Sequence, residues 1–437
     1  MARTYTIETF GCQMNFHDSE RMAGLLEAAG YARVDDATLA DVIVLNTCSV
    51  RERAEEKLFS RLGEVRADRP DAPALVAVTG CVAQQEGGAI LKRAGSVDVV
   101  VGTQAMRRLP ELLEEAATSG TRQVDVNPYD DVSFPLGMAV RGDPVKAYVS
   151  IVEGCNDFCA FCVVPYTRGH ERMRPATEIT REVEEAVSTG RREIHLLGQI
   201  VNHYQDPDDA RCDFAGLLER VQRIGGVERI RFASPHPRHV TPRMITAMRD
   251  LSCVCRHLHL PVQSGSTRIL TAMRRRHTRG EYLGLVAQIR AAIPDIALST
   301  DIIVGFPGET SADFEETLSL VKQIEYHSMF SFKYSERPAT MSSKRLLDTV
   351  SEAEKTRRIV TLQELQREIQ LRLNEQAVGT CATVLADARS RRRDDELSGR
   401  TSGNTVVNFP GNPEWLGRMV DVAVQKAGPH SSWGVPA

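Results

Sequence analysis

The chain of 437 residues is 42% hydrophobic and 26% charged, a balance that is typical of globular proteins. Its length predicts roughly three domains with room for a sizeable core. The net charge of −4 provides no overall attraction for nucleic acid, so any such binding must come from local basic patches. No apolar run approaches the ~18 residues of a membrane span, and the first residues lack a signal-peptide core. We therefore expect a cytoplasmic protein with no membrane partner.

The first 120 residues contain three apolar segments with strand character, each followed by a cysteine. These pairs are residues 5–10 with Cys12, residues 41–47 with Cys48, and residues 75–80 with Cys81. Helical stretches separate the segments, which predicts a βαβαβ unit with a parallel sheet. All strands of such a sheet end at one edge, so we expect the three cysteines, named here the N-terminal trio, to converge. Three unrelated buried cysteines are the alternative. A flavodoxin-like phosphate site is the alternative at the level of the fold, but no glycine-rich loop follows these strands.

A second group of cysteines follows an apolar run at residues 147–152. Cys155, Cys159 and Cys162, named here the loop trio, have C-x3-C-x2-C spacing after the strand breaker Gly154. Thiolates so close together suit iron–sulfur ligation, and three ligands leave one position open for a reactant. A zinc site with His170 as the fourth ligand is the alternative. A disulfide is disfavoured because the number is odd and nothing indicates export.

This spacing, with the aromatic Phe161 just before the third cysteine, resembles the radical S-adenosylmethionine (radical SAM) superfamily. The resemblance implies a [4Fe-4S] cluster on the loop trio whose open iron binds S-adenosylmethionine (SAM). An electron from the cluster then cleaves SAM to a 5′-deoxyadenosyl radical, which abstracts hydrogen from unactivated C–H bonds. Phe161 would flank the adenine; packing of the loop is its alternative role.

The middle of the chain alternates strand and helix patterns. Five further strands are expected at residues 193–199, 229–234, 257–262, 297–304 and 330–335. Six strands with the cysteine loop after the first predict a partial (β/α)6 barrel, as in the radical SAM superfamily. Polar or glycine residues at the strand ends are then candidates for holding the cofactor: Gly198, Gln199, Gln263, Ser264 and Gly305. His257 and His259 share one strand face, and we interpret them as packed in the barrel interior before we consider them as ligands.

Basic residues near these strand ends are candidate phosphate or substrate contacts. The candidates are Arg168 and Arg172 behind the cysteine loop and Arg274 and Arg275 in a basic run. Surface pairing with Glu171 is the alternative for the first two, and a solvated helix face is the alternative for the others. We interpret the remaining cysteines, which are Cys212, Cys253, Cys255 and Cys381, as structural.

The C-terminal part predicts a long helix over residues 352–376 and then short strands at 381–385, 405–409 and 419–424. Glycine-rich turns between such strands indicate a small OB-like β-barrel. Residues 399–404 (GRTSGN) resemble the TRAM domain, an RNA-binding barrel. Binding would depend on Arg389, on Arg391–393 and on Arg400, with Phe409 available to stack a base. Acidic residues 394–396 weaken the electrostatic case for RNA binding. The alternative is that the barrel packs on the main body.

Three segments around the N-terminal trio resemble the methylthiotransferase family: residues 11–15 (GCQMN), 46–52 (NTCSVRE) and 79–84 (TGCVAQ). The resemblance implies that Cys12, Cys48 and Cys81 hold a second [4Fe-4S] cluster, which participates in sulfur insertion. It also implies an α/β chain of three domains: an N-terminal domain (1–120), a linker (121–140), a radical SAM core (141–372) and a TRAM domain (373–437).

Among the relatives with this layout, residues 11–15, 46–52 and 163–169 most resemble those that act on N6-dimethylallyladenosine beside a tRNA anticodon. The implied reaction is methylthio insertion at adenine C2. Relatives that act on threonylcarbamoyladenosine or on a ribosomal-protein aspartate are alternatives, as is a non-catalytic iron–sulfur scaffold that binds RNA. The implied partners are the tRNA anticodon stem-loop, an electron donor protein and a sulfur source, and we expect a monomer.

Overall fold

The computed structural model describes residues 3–49, 52–68, 74–127, 139–390 and 393–437. Residues 50–51 of the second methylthiotransferase-like motif, residues 128–138 of the expected linker and the expected RNA contacts Arg391 and Arg392 lie outside these ranges. None of the helices in the described ranges combines the length and the apolar character that crossing a membrane requires.

The N-terminal domain is a six-stranded parallel sheet with the strand order β2-β1-β3-β4-β5-β6. Its strands are β1 (Thr4–Phe10), β2 (Ala32–Arg33), β3 (Val42–Thr47), β4 (Leu75–Gly80), β5 (Val99–Val101) and β6 (Gln123–Asp125). Its helices are α1 (Gln13–Ala28), α2 (Glu52–Asp68), α3 (Cys81–Glu86), α4 (Ala89–Arg93) and α5 (Leu109–Ser119). The last strand, β6, lies inside the segment expected to be a linker.

Helices cover both faces of this sheet, because β3, β4 and β5 carry apolar side chains on both faces. One apolar core joins α1 and α5 to the face that carries Tyr5 and Val44. A second core joins α2 and α3 to the face that carries Ile43 and Leu45. All six residues of β3 are buried, as expected for a central strand of a sheet that is covered on both sides.

Six parallel strands form the partial barrel of the middle domain. Two three-stranded sheets, β11-β10-β7 and β12-β13-β14, meet through a single bridge between Ile230 and Val254. The barrel strands are β7 (Lys146–Ser150), β10 (Glu193–Leu197), β11 (Arg229–Phe232), β12 (His257–His259), β13 (Ala297–Val304) and β14 (Ser328–Lys333). The short strands β8 (Val152–Glu153) and β9 (Arg172–Met173) form a separate pair. In the described chain, β7 and β14 do not pair with each other, so the barrel wall is open on that side.

The helices of this domain cover the outside of the barrel or follow the strand ends. They are α6 (Val164–Thr167), α7 (Ala176–Ser188), α8 (Phe214–Gln222), α9 (Pro242–Asp250), α10 (Thr267–Ala272), α11 (Arg279–Ala292), α12 (Ser311–Ile324) and α13 (Met341–Arg345). Strands β8 and β9 pair antiparallel, with Val152 opposite Met173 and Glu153 opposite Arg172. This short ladder closes the base of residues 154–171, which we name the cysteine loop.

The long helix α14 (Glu352–Glu375) leads to a closed five-stranded barrel with the order β15-β16-β17-β19-β18. The strands are β15 (Cys381–Arg389), β16 (Glu396–Thr401), β17 (Val406–Pro410), β18 (Met419–Ala427) and β19 (Ser432–Pro436). Phe409 is fully buried in the core of this barrel, so the expectation that it stacks a base is wrong. An inward-facing aromatic side chain fills the small barrel instead of meeting solvent.

The C-terminal barrel packs on the end of the middle barrel that lies opposite the cysteine loop. Lys146 Nζ, at the start of β7, lies 2.6 Å from Asp387 Oδ2. Arg231 donates to the carbonyls of Thr401 (2.7 Å) and Ser402 (3.2 Å). Lys146 is the first residue of β7, and Arg229, the first residue of β11, donates to the Thr383 carbonyl (3.0 Å), whereas the cysteine loop leaves from the carboxyl end. Charged side chains of the middle domain therefore hold the C-terminal barrel by binding its backbone carbonyls and one of its carboxylates.

Candidate iron–sulfur and cofactor site

The N-terminal trio lies at one edge of the first sheet, because strands β1, β3 and β4 end in register. Phe10 is opposite Thr47, and Thr47 is opposite Gly80. Cys12 directly precedes α1, Cys48 follows β3, and Cys81 is the first residue of α3. The thiols interact: a hydrogen bond with Cys48 lowers the pKa of Cys12, whereas burial raises the pKa of Cys81. The topology therefore brings together three residues that are far apart in the sequence.

Two buried asparagines from the motifs support the N-terminal trio. The Cys12 thiol donates to Asn15 Oδ1 (3.2 Å), and Asn15 Nδ2 donates to Asn46 Oδ1 (3.1 Å). Asn46 Nδ2 donates back to the Asn15 carbonyl (2.8 Å). At Gly80, with φ of +89°, a Cβ atom would lie 2.3 Å from Asn46 Oδ1. The network therefore explains the asparagines of GCQMN and NTC and the glycine before Cys81, roles that the sequence alone did not reveal.

The loop trio lies at the other side of the domain junction, on the cysteine loop. The Asp157 amide donates to Cys155 Sγ (3.5 Å), and Arg275 Nη1 donates to Cys159 Sγ (3.5 Å). Burial, with a smaller contribution from the neighbouring Cys159, raises the pKa of Cys155 to about 11 and that of Cys162 to about 12. Iron–sulfur clusters are held by cysteine sulfurs that lie close together and accept hydrogen bonds from N–H groups.

The zinc alternative for the loop trio finds no support in the geometry. Across the described residues, no three His, Cys, Asp or Glu side chains are spaced to enclose a single metal ion. His170, the expected fourth zinc ligand, is exposed, and its Nδ1 bonds with Asn156 Oδ1 (3.2 Å). A four-iron cluster holds its ligands farther apart than one ion does, so this result bears on a mononuclear zinc site and not on a cluster.

The expected cofactor residues differ in whether their polar groups already have hydrogen-bond partners. Gln263 and Ser264 are buried, and the Ser264 hydroxyl accepts from the Ser266 amide (3.2 Å). The Gly305 amide donates to Glu309 Oε2 (2.6 Å). By contrast, Gln199 Oε1 is buried and has no hydrogen-bond partner. Gln199 is thus the expected cofactor residue whose acceptor is still available for a ligand.

Phe161 and Gly198 both lie in closely packed surroundings. Phe161 is half-buried and packs against an apolar cluster that includes Ala160, Phe306 and Tyr334. A Cβ atom at Gly198 would lie 3.0 Å from the Cβ of Val152, so glycine lets this turn pass close to the strand before the cysteine loop.

The expected basic contacts fall into buried and exposed groups. Arg168 and Arg275 are buried, so neither guanidinium is open to a phosphate from solvent. Arg168 pairs with Asp18 and Glu153, and Arg275 donates to Cys159 and to the Pro261 carbonyl. The charge of Arg168 is thus paired with two carboxylates, whereas Arg275 binds a sulfur and a backbone carbonyl.

The other basic candidates remain at least partly exposed. Arg172 Nη2 lies 3.6 Å from Glu153 Oε2, and the alternative partner Glu171 instead bonds with His203 (2.7 Å). Arg274 lines a cavity of about 300 Å³ beside Cys159. Arg400 lies in the C-terminal barrel, where its side chain donates to the Asn404 carbonyl (3.2 Å).

The interior histidines are hydrogen-bonded, and the remaining cysteines differ in how far they are buried. His257 Nε2 and His259 Nδ1 both bond with Ser299 Oγ (2.9 Å each), inside the barrel as expected. Cys212 and Cys255 are buried, but Cys381 is exposed, so a packing role for Cys381 is wrong.

Three protein-family models match consecutive parts of the chain. Residues 4–102 match an uncharacterized protein family (UPF0004), residues 149–321 match the radical SAM superfamily, and residues 375–436 match the TRAM domain. The three models follow the same order as the three folded parts.

Curated relatives extend over nearly the whole chain. The chain is 46% identical to a tRNA-2-methylthio-N(6)-dimethylallyladenosine synthase of Geobacter metallireducens over 432 residues, which is 98% of this chain and 97% of the relative. It is 47% identical to a protein of the same name from Chromobacterium violaceum over 438 residues, covering 99% of this chain and 98% of the relative.

Solved structures with low sequence identity share the fold. The radical SAM methyltransferase TsrM of Kitasatospora setae matches with a TM-score of 0.58 at 14% identity, over 90% of this chain and 79% of TsrM. The cobalamin-dependent SAM radical enzyme OxsB matches with a TM-score of 0.53 at 12% identity, over 84% of this chain and 56% of OxsB.

If each trio holds its own cluster, removing one trio must remove the iron of one cluster and leave that of the other. We expect the triple change of Cys155, Cys159 and Cys162 to Ala to remove about half of the iron and sulfide bound after anaerobic reconstitution. We expect the same loss when Cys12, Cys48 and Cys81 are changed to Ala. Iron and sulfide analysis with visible absorption spectra provides the measurement.

A control variant with Cys212, Cys253 and Cys381 changed to Ala should keep the full wild-type iron. Full iron in either trio variant, or equal losses in the control, would contradict the assignment of the ligands.

Proposed function

The chain belongs to the tRNA methylthiotransferase family of radical SAM enzymes, and we propose that it inserts a methylthio group at adenine C2 of N6-dimethylallyladenosine beside the anticodon of tRNA. The names of the curated relatives and the motifs at residues 11–15, 46–52 and 163–169 support this substrate. The proposed cofactors are SAM and two [4Fe-4S] clusters, one on each trio.

The observation that carries the proposal is that the two trios lie on either side of one domain junction. Residues of the cysteine loop bond directly to the N-terminal domain: Thr103 Oγ1 donates to the Thr167 carbonyl, and Gln104 Nε2 donates to the Arg168 carbonyl (3.2 Å). Arg168 also pairs with Asp18 of α1 (2.6 Å). A site for radical generation and a site for sulfur delivery must face the same substrate atom, and these contacts favour that arrangement.

When bound, the cofactors would supply the hydrogen-abstracting radical, the methyl group from a second SAM, and a place to carry the sulfur that is inserted. The chain's own residues would hold these groups and shield them from water. The loop trio provides three thiolates, and the buried acceptor Gln199 Oε1, which has no hydrogen-bond partner, would accept from the amino group of SAM. Phe161, which packs on its apolar cluster, would flank the adenine. The N-terminal trio, supported by Asn15 and Asn46, provides the second set of thiolates.

The barrel interior provides a surface for the substrate base next to the open wall. Phe330 of the edge strand β14 is 53% exposed, and its ring centroid lies 6.0 Å from that of His259. His259 Nε2 lies 3.3 Å from Asp301 Oδ1. An unpaired base stacks on an exposed aromatic ring, and such stacking contributes about 1–3 kcal/mol per base. In this proposal the adenine of the anticodon loop enters between β7 and β14 and stacks on Phe330.

A basic cavity beside the loop trio is suited to the RNA backbone. Arg274, Lys344 and Arg345 line it together with Cys159 and Tyr166. Lys344 and Arg345 are exposed, and Lys344 Nζ lies 5.8 Å from the centroid of the Tyr166 ring. Phosphate contacts position the RNA while the base contacts provide specificity. In this proposal Arg274 and its neighbours bind phosphates, with Arg172 and Arg400 as further RNA contacts.

We also propose a domain organisation, a compartment and a set of partners. The expected bounds are 1–120, 141–372 and 373–437 with a linker at 121–140, but β6 extends the N-terminal domain to Asp125, so the linker begins after that residue. The protein acts as a monomer in the cytoplasm on the tRNA anticodon stem-loop, and it takes electrons from a donor protein and sulfur from a separate source.

A substrate comparison tests this function. Reconstituted protein with dithionite and SAM is given anticodon stem-loops that carry either N6-dimethylallyladenosine or threonylcarbamoyladenosine, or a ribosomal-protein peptide with the target aspartate. Mass spectrometry should detect a methylthiolated product from the dimethylallyl stem-loop alone. Product from one of the other substrates alone would reject the proposed substrate. Absence of 5′-deoxyadenosine, with both clusters present, would favour the non-catalytic scaffold.

The basic cavity makes a separate prediction about salt dependence. Changing Arg274 or Lys344 to Ala should weaken stem-loop binding whether or not the base is modified. Each lost phosphate contact should reduce the slope of log K against log salt by about 1. Arg249→Ala removes a surface arginine that pairs with Asp250, and it should leave the slope unchanged. An unchanged slope for both cavity variants would show that the RNA backbone does not lie in this cavity.

A further inference from the structure

The turn that follows β13 contains an expected cofactor residue, and a buried carboxylate closes it. Gly305 is the first residue after the strand and has φ of +72°. Glu309 Oε2 accepts from the Gly305 amide (2.6 Å), and the Glu309 amide donates to the Phe306 carbonyl (2.8 Å). Glu309 is 4% exposed. We name residues 305–309 the β13 turn.

The β13 turn packs against the cysteine loop. Phe306 is fully buried and belongs to the same apolar cluster as Ala160 and Phe161 of that loop. The centroid of its ring lies 5.3 Å from that of Tyr334, at an interplanar angle of 80°. A displacement of the turn would therefore also displace the apolar surface on which Phe161 packs.

Helix α14 contributes a buried cation to this turn. Arg358 is 3% exposed, and its Nη1 lies 2.6 Å from Glu309 Oε2. The same Nη1 donates to the Glu309 carbonyl (3.1 Å). One carboxylate oxygen thus binds both the Gly305 amide and the guanidinium, and the buried ion pair fixes the Glu309 side chain from outside the turn.

Lys355 lies one helical turn before Arg358, on the same face of α14. It is 5% exposed, and a Cβ atom at Gly305 would lie 2.4 Å from Lys355 Cγ. Its Nζ donates to the Tyr334 carbonyl (3.2 Å) and to Asp348 Oδ2 (2.5 Å). The aliphatic part of Lys355 therefore covers the β13 turn, and glycine is required at position 305 because of this close approach.

The neighbouring Arg357 provides a contrast on the same helix. Its side chain is 57% exposed, and its Nη2 lies 2.7 Å from Glu354 Oε1. Its Nε donates to Glu354 Oε2 (2.8 Å). This ion pair joins two residues of α14 and does not extend to the β13 turn, whereas the pair of Arg358 and Glu309 joins α14 to that turn.

We propose that Arg358 is a positioning residue for SAM, because its ion pair with Glu309 holds the β13 turn in the shape that binds the cofactor. The inference rests on the proposed function, since it takes Gly305 as a contact of SAM. Groups that contact a ligand must be held by their neighbours to within about 0.5 Å of the productive geometry. A helix outside the barrel would then determine the affinity for SAM inside it.

The test uses full-length variants that separate the ion pair from the fold. Arg358→Gln removes the guanidinium but leaves the buried Glu309 carboxylate without its cation, which destabilises the protein. We therefore add Glu309→Gln/Arg358→Met, in which no charge is left unpaired and an amide oxygen can still accept from Gly305. Arg358→Lys keeps the charge, and Arg357→Gln is the matched control.

The readout is the binding of radiolabelled SAM, measured by equilibrium dialysis on reconstituted protein without reductant, so that SAM is not cleaved. We expect the Kd for SAM to rise about 10-fold in Arg358→Gln and in the double variant. Arg358→Lys should give a smaller increase, and Arg357→Gln should bind SAM as the wild type does. The iron content and the affinity for the stem-loop should not change in any of these variants.

The inference is overturned if the double variant binds SAM with the wild-type Kd, even when its melting temperature is lower, because Arg358 would then serve only the stability of the fold. An equal increase in Kd for Arg357→Gln would overturn it as well. A wild-type protein that binds SAM and holds both clusters but makes no methylthiolated product would reject the proposed function, and the dialysis would still decide the role of Arg358.

Discussion

The geometry of parallel strands is the constraint on which this structure depends. Strands β1, β3 and β4 end in register, and each is followed within two residues by a cysteine of the N-terminal trio. In the barrel, β7 leads in the same way to the loop trio at a carboxyl end. Open α/β sheets place their chemistry at this edge, and here two such edges face each other across one junction. The proposed sulfur transfer requires of the fold only that these two edges lie next to each other.

Buried charge fixes how the two edges meet. Arg168, Asp18 and Glu153 are each at least nine-tenths buried, and they come from a loop, a helix and a strand of two domains. Separating the domains would leave charges unpaired, and breaking a buried ion pair costs about 3–5 kcal/mol. The C-terminal barrel docks by similar means at the opposite end, through Lys146 and Arg231. An RNA held by both ends would have to run along the outside of the middle barrel.

Local patterns in the sequence predicted most of the architecture. The apolar run at 297–304 matches β13, and residues 75–80 match β4, because buried strands are continuous stretches of apolar residues. The cysteine spacing predicted the loop trio, and three strands each followed by a cysteine predicted the N-terminal trio. The short strands β5 and β6 were missed, since three residues carry too little periodicity to be distinguished from loops.

The roles of the charged and aromatic residues could not be predicted as well. Arg168 and Arg275 were expected to contact phosphate or substrate, yet both side chains are buried. Asp18, the partner of Arg168, lies 150 positions away in the sequence and in another domain. Phe409 was expected to be available for stacking, but the closure of the C-terminal barrel turns it inward. Side-chain direction in these cases depends on contacts between distant segments, which no local pattern encodes.

The most direct test of the account separates radical generation from sulfur insertion. The full chain with Cys12, Cys48 and Cys81 changed to Ala is reconstituted and given SAM, dithionite and the dimethylallyl stem-loop, and nucleosides are analysed by mass spectrometry. The account predicts 5′-deoxyadenosine without any methylthiolated nucleoside. Methylthiolated nucleoside at the wild-type yield would contradict it.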